Sequence, residues 1–245
     1  MIRGFYSAVS GMVENLTRAQ IIANNLANLG TVGYKEDTNV FRSFKSIFLQ
    51  RISPDGTTPL ARISTGTEIS PVVLKLDQGS LTATDNPLDV AMTGPGFFSI
   101  QTPNGIAYTR TGHLYRDVEG QLVTADGMHV LGQNGPIALP SRDVEFGPDG
   151  SLFADGLAFD KLQLVEFANA QGLKKIGFNR YDSAETPTQA VATQVKGGYL
   201  EQSNVDPIRA MTDLLTVQRA YEASQFISNL HDQMTGKAVN EVGKV

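Results

Sequence analysis

The sequence predicts a mixed α and β chain with a helix at each end and an inserted all-β domain of many short strands. Three observations carry that reading. A heptad stripe lies near the amino terminus, a second long apolar stripe lies near the carboxy terminus, and the middle is broken at short intervals by turn dipeptides.

In the first stripe, Phe5, Val9, Met12, Leu16, Ala19, Ala23 and Leu26 follow alternating steps of four and three. That is the spacing of a narrow helix–helix seam. Ser7, Ser10, Asn15, Thr17, Gln20, Asn24 and Asn25 surround it, so the helix has one apolar edge. It should end near residues 28–30, where Asn28 tolerates a left-handed backbone and Gly30 and Gly33 supply turn geometry. Val40, Phe41, Phe44, Ile47, Phe48 and Ile52 form a further apolar group whose spacing permits a helix or an irregular arm. Residues 53–59 read as a loop with an Asp55-Gly56 turn.

From about residue 62 to 200 the character changes. Asn86-Pro87, Pro95-Gly96, Asn104-Gly105, Glu119-Gly120, Asp126-Gly127, Asn134-Gly135 and Asp149-Gly150 punctuate short apolar runs. Several of these pairs accept the positive φ of hairpin turns. Residues 97–101, 107–109, 121–124 and 128–131 have strand length, 161–167 reads as a further strand, and Val191, Thr193 and Val195 alternate. The expected result is a sandwich or an irregular barrel. Phe97, Phe98, Tyr108 and Tyr115 are expected to pack its core.

The last helix should start at Asn204-Val205-Asp206-Pro207, with Asp206 as cap and Pro207 at the first helical position. Leu214, Val217 and Tyr221 define one edge, and Ala220, Ala223, Ile227, Leu230 and Met234 continue it on a shifted face. The two helices either close on each other or meet helices of other copies. Ala19, Ala23, Ala220 and Ala223 permit close approach but bury little, at about 0.8 kcal/mol per methylene. Packing against several neighbours would remedy that.

Bulk properties narrow the function. A net charge of -5 across 245 residues, without a basic patch beyond Lys174-Lys175, argues against a nucleic-acid partner. There is no cysteine, so folding does not depend on disulfides. The amino terminus carries one Arg and no continuous apolar run, unlike a signal peptide, and no apolar stretch is long enough to predict a membrane-spanning helix. His113, His129 and His231 share no metal-ligand spacing, and no Gly-X-Ser-X-Gly elbow occurs. Gly94-Pro95-Gly96 reads as a turn, and Asp149 and Asp155 as turn residues. The expectation is no catalytic site, no metal and no cofactor.

The motifs themselves are specific. Ala23-Asn24-Asn25-Leu26-Ala27-Asn28 followed by Thr31 and Gly33-Tyr34-Lys35 resembles the amino-terminal signature of the flagellar basal-body rod protein family. Ser203-Asn204-Val205-Asp206 and Gln218-Arg219-Ala220-Tyr221-Glu222-Ala223 resemble its carboxy-terminal signature. Between them, Asn86-Pro87-Leu88-Asp89-Val90, Gly94-Pro95-Gly96-Phe97-Phe98 and Tyr108-Thr109-Arg110-Thr111-Gly112 are similar to the rod branch. Chain length and residues 130–140 look proximal-rod, FlgF-like, while residues 218–222 look distal-rod, FlgG-like; the expectation favours FlgF.

The resemblance implies a structural subunit, not an enzyme, that assembles helically into the periplasm-spanning drive shaft. It implies export through the flagellar secretion apparatus without a cleaved signal peptide, and a final place in the periplasmic rod. Implied partners are copies of the chain, other rod proteins, hook-side subunits, ring proteins and peptidoglycan. The implied layout is an assembly helix and Asn-rich turn (1–35), a connecting arm (36–67), a β-rich outer domain (68–200) and a second assembly helix (201–245), the helices forming a coiled-coil-like layer. Candidate assembly residues are Val9, Met12, Leu16, Asn24, Asn25, Leu26, Asn28, Leu214, Val217, Arg219, Tyr221, Glu222, Ile227 and Leu230. The Asn side chains should hydrogen-bond near the helix end, and Arg219 and Glu222 pair either with neighbours or with each other along the helix. Two other classes remain in view, a secreted wall-modifying enzyme and a cytoplasmic β-rich binding adaptor.

Overall fold

The structure, a computed structural model, describes residues 2–43, 47–53, 56–63, 67–140, 144–169 and 172–242. They fall into two units. One holds Met1–Leu26, Asp37–Val73 and Pro207–Val245, and the other holds Ala27–Glu36 and Leu74–Asp206.

The first unit is built on two helices, α1 (Ile2–Ala27) and α2 (Pro207–Lys237), the latter continued by a π turn over Ala238–Val242. Asp206 and Pro207 therefore stand where the start signal put them. The helices pack antiparallel: the His231 ring lies against the bare backbone of Gly4, and Gly11 faces Ser224. Both contacts shift by seven residues in opposite directions, a heptad register. In the same unit Asp37–Ser43 pairs with Thr67–Leu74, and Ile47–Ser53 runs antiparallel to Gly56–Ile63.

Those strands correct the expectation of a helix or an irregular arm over this stretch, and of a loop over 53–59. Val40, Phe41, Ile47, Phe48 and Ile52 are β-branched or aromatic, types that favour a pleated backbone once a partner strand is at hand. Phe44 of that apolar group and Asp55 of the expected turn lie outside the described residues.

The second unit is β throughout. Its largest sheet centres on Phe97–Thr102, flanked by Gly105–Thr109 and by His129–Gly132, with Leu164–Glu166 also paired to it. Val144–Phe146, Ser151–Ala154 and Leu157–Lys161 form a smaller three-stranded sheet. Two pairings reach far along the chain: Val90–Thr93 with Gln194–Gly197, and Leu81–Ala83 with Tyr199–Glu201. They fix the end of the β region beside its beginning. The expected architecture of terminal helices and a many-stranded β insertion is thus the one observed.

Alternation of side chains builds two cores. Phe98, Ile100, Leu114, Leu122, Val130, Ile137 and Leu152 fill the larger, and Phe97, Tyr108, Val165, Leu173 and Tyr181 the smaller. The smaller core is held by edge-to-face rings, Phe97 on Tyr181 at 5.5 Å and Tyr108 on Phe167 at 4.9 Å. Tyr115 is not in either core. Leu114 takes the inward position of its strand, so Tyr115 points out, 43% exposed, with its ring edge-on to His113. The expected strand over 161–167 is also divided. Lys161 ends one strand, Leu164 begins the next, and Leu162 between them donates its N–H to the carbonyl of Gly150.

Phe98 is fully buried and has no polar partner to lose, so Phe98→Ala tests the larger core cleanly. The expected loss is about 3–5 kcal/mol of unfolding free energy, read from urea denaturation of the whole chain.

Candidate functional site

Two features of the sequence-predicted residues matter, one in each unit. The first is the distribution of apolar side chains on the helices. The inner line of α2 runs Ala210, Leu214, Val217, Tyr221, Ser224, Ser228 and His231, of which only Val217 is buried. Its counterparts on α1 include Gly4, Ala8 and Gly11. Small and polar residues dominate this seam, so it buries little apolar area. Meanwhile Phe5, Val13, Leu16, Ile208, Met211, Leu215, Phe226, Ile227, Leu230 and Met234 are all exposed, Leu16 at 50%. Contiguous apolar surface of this kind marks contact sites rather than a finished surface.

The candidate assembly residues therefore divide. Leu214, Val217 and Tyr221 lie on the inner line, Val9, Met12 and Leu26 are half-buried, and Leu16, Ile227 and Leu230 are exposed. Arg219 and Glu222 are exposed, with Glu222 accepting from Gln218 Nε2 at 3.3 Å along the helix. Asn24 is exposed. Asn25 is buried and grips the backbone of Asp37, donating from Nδ2 to its carbonyl at 2.8 Å and accepting its N–H on Oδ1 at 3.0 Å.

The second feature lies in the β unit. Asn28 starts the turn: its Oδ1 accepts from Thr31 Oγ1 at 3.1 Å and its carbonyl accepts the Thr31 N–H. Gly33 follows with φ +67°, its N–H donated to the carbonyl of Glu201. A Cβ there would meet the carbonyl oxygen of Arg110 at 2.6 Å, so both conformation and space demand glycine. Lys35 then enters the interior. Its Nζ donates to Glu201 Oε1 at 2.7 Å and to the carbonyl of Asp77 at 2.8 Å. Arg110 Nε donates to Glu201 Oε2 at 2.7 Å, and its Nη1 to the carbonyl of Gly96. The N–H of Gly79 gives Glu201 a third partner. Both side chains of the Lys35–Glu201 pair are 1% exposed.

Around this cluster, Asn204 binds three backbone groups of two chain segments. Its Oδ1 accepts the N–H of Glu36, and its Nδ2 donates to the carbonyls of Lys75 and Asp77. Lys75 pairs with Glu36 at 2.9 Å, and Lys175 spans from the face of Tyr34 to the carbonyl of Lys35. Chain segments 31–36 and 201–205 thus lie side by side within the β unit.

The electrostatics follow from burial. Desolvation dominates at Lys35 and holds its ammonium below the usual lysine range, against the hydrogen bond and charge of Glu201. Burial raises the Glu201 carboxyl, but the Arg110 charge and the Lys35 hydrogen bond and charge together outweigh it, and the net shift is downward. Two cations around one carboxylate make a lock, not a reaction centre. The sequence reading missed it. Lys35 and Arg110 sit inside motifs it singled out, but no linear spacing joins positions 35, 110 and 201.

Among the described residues there is no cluster of three or more His, Cys, Asp or Glu arranged for a metal, and no helix is long and apolar enough to cross a membrane. His113 is engaged by the buried Asp89, whose Oδ1 lies 2.6 Å from Nδ1 and also accepts from Asn86 Nδ2. Asp149 is a turn residue, accepting the N–H of Ser151.

Comparison with known proteins adds three matching segments. Residues 5–35 match the family described as flagella basal body rod protein, 91–154 the flagellar hook protein FlgE/F/G D1 domain, and 196–241 the flagellar basal body rod FlgEFG protein C-terminal region. Lys35, Arg110 and Glu201 fall one in each. The chain is 35% identical to the basal-body rod protein FlgG of Bacillus subtilis, over 98% of this chain and 99% of that one. It is 33% identical to FlgG of Agrobacterium fabrum over 95% and 97%, and 31% identical to FlgF of Caulobacter vibrioides over the whole of both.

These relatives overturn the expected leaning towards FlgF, because FlgG proteins match more strongly. Length does not discriminate, since the chain and a FlgG protein cover each other almost end to end. The stretch 130–140 carries the hairpin of His129–Gly132 and Gly135–Pro136, with Gly135 at φ +114°. Its residues answer to turn geometry, which branches can share.

Glu201→Gln leaves two buried cations without their anion. The expected cost is about 3–5 kcal/mol, measured by denaturant unfolding. The sign of the pH effect is fixed by the lowered carboxyl pKa. The stabilisation from Glu201 is fully present above its ordinary value of 4.5 and is lost as pH falls through the folded value, so Glu201→Gln should flatten the acid limb of the stability profile.

Proposed function

The chain belongs to the flagellar basal-body rod protein family, and from that premise we propose that it is a structural subunit of the distal, FlgG-like rod. Members of this family are structural and non-catalytic. The subunit assembles helically with copies of itself and with other rod and hook proteins, in the periplasmic shaft of the flagellum. It reaches that place through the flagellar export apparatus.

The observation that carries the reading is the unequal use of the two helices' surfaces. An antiparallel pair designed to stand alone would put its Leu, Ile and Phe side chains between the helices. Here the seam holds Leu214, Val217 and Tyr221 but is otherwise built of residues such as Gly4, Ala8, Gly11, Ser224 and Ser228, while Phe5, Leu16, Phe226, Ile227 and Leu230 face away. Association of many copies buries that second face and supplies the apolar area that one pair lacks. A heterologous contact that does not close gives a filament, the form a shaft requires.

Leu16→Asp tests this without touching the β unit. Charge at a half-exposed position should leave the thermal midpoint of the purified chain within a few degrees, while incorporation into basal bodies and swimming motility fall at least tenfold. Normal incorporation of Leu16→Asp would remove this face from the rod contact.

A further inference from the structure

One residue in the β unit costs backbone energy and returns no burial. The strands Lys174–Gly177 and Arg180–Asp182 form a hairpin in which Gly177 stands opposite Arg180, leaving Phe178 and Asn179 as a two-residue loop. Both have positive φ, 50° and 55°. That is the pattern of a type I′ turn, for which Asn-Gly is the usual solution. A bulky aromatic at the first position is strained. The Phe178 ring is nevertheless 75% exposed, with the Arg180 guanidinium 5.1 Å from its centroid.

The base of this loop is held firmly. Asn179 Nδ2 donates to the carbonyl of Val32, and the Asn179 carbonyl accepts from Thr109 Oγ1. Phe178 is thus a rigid, outward aromatic knob, flanked by exposed Ile176 and Lys174 and by Arg180. Aromatic and Arg side chains on a pre-ordered support are the residue types that dominate protein contacts.

A matching recess lies on a different sheet of the same unit. Pro87, Val144, Phe153 and Gly156 line a pocket of about 310 Å³, with the exposed carboxylates of Glu145 and Asp155 at its walls. The recess is open to solvent, and its volume exceeds that of an apolar cavity of about 150 Å³ that holds a benzene molecule, enough space for a phenyl ring. A second pocket, of about 350 Å³ between Gln133, Pro187 and Gln189, has no charged residue among the described residues that line it. Charge decides between them, because the knob brings Lys174 and Arg180 with it.

We propose that Phe178 of one copy docks into the Pro87–Phe153 pocket of a second copy, with Lys174 and Arg180 against Glu145 and Asp155. Knob and pocket are different surfaces, so the contact is heterologous and each copy offers a free knob or pocket to the next. This second interface belongs to the β unit and is separate from the helix faces. It rests on the self-assembly proposed above.

The absence of cysteine permits a direct test by disulfide trapping. Basal bodies are isolated from cells producing the chain as Lys174→Cys/Asp155→Cys, and from cells producing each single variant, then oxidised. The proposal expects a ladder of multiples of this chain's mass from the double variant alone. Adding Phe178→Asn, which suits the turn, should reduce the ladder at least tenfold while the thermal midpoint of the purified chain holds or rises. Basal bodies that contain the chain but give no ladder overturn the docking and leave the rod reading standing. A ladder that survives Phe178→Asn, or an adduct with a different protein, overturns it too. Absence of the chain from basal bodies overturns both.

Discussion

The structure depends on one buried carboxylate between two buried cations. Taking Lys35, Arg110 and Glu201 out of water costs several kcal/mol per ion, recovered only when every charged atom finds a close partner in good geometry. The partners come from three distant parts of the chain, and Lys35 and Glu201 are 166 residues apart. Gly79, Asp77 and Gly96 add backbone partners to these charges, while Arg110 Nη2 is buried without one. None of these segments reaches its lowest energy until the others are in place. The β unit therefore finishes only when sequence from both ends of the chain has joined it.

That constraint gives the two terminal motifs different tasks within one signature. Asn28, Thr31, Gly33 and Lys35, together with Glu201 and Asn204, build an internal joint of the β unit. The helical parts, with their Gly, Ala and Ser seam and their outward Leu, Ile and Phe, belong to the other unit. A joint that is expensive to open sets a fixed geometry. A helix pair held by little apolar area is adjustable, and its order is expected to rise when neighbours cover the outer face.

Much of this was legible in the sequence, and the failures have physical reasons. The helices were visible because heptad spacing and Pro207 are local signals, and the hairpins because Asn-Gly and Asp-Gly turns are local too. The inner seam of α1 was displaced. The predicted apolar stripe is split, with Val9, Met12 and Leu26 half-buried and Phe5 and Leu16 exposed, and the contact with α2 also uses Gly4 and Gly11, which no hydrophobicity pattern selects. The apolar group from Val40 to Ile52 reads as a helix or an irregular arm because strand pairing is decided by the partner strand, which periodicity does not see. The charge cluster was hidden for the same reason, since Lys35, Arg110 and Glu201 meet only in three dimensions. The branch within the family was misjudged from residues 130–140, whose composition reflects a hairpin.

Hydrogen exchange, compared between the isolated chain and assembled basal bodies, tests the account most directly. It predicts that amides of residues 31–36 and 199–205 are strongly protected in the isolated chain and change little on assembly. Those of residues 5–26 and 208–237 should exchange much faster in isolation and gain protection in the basal body. Helices already protected to the level of the β unit in the isolated chain, or a 31–36 segment that becomes protected only on assembly, would contradict it.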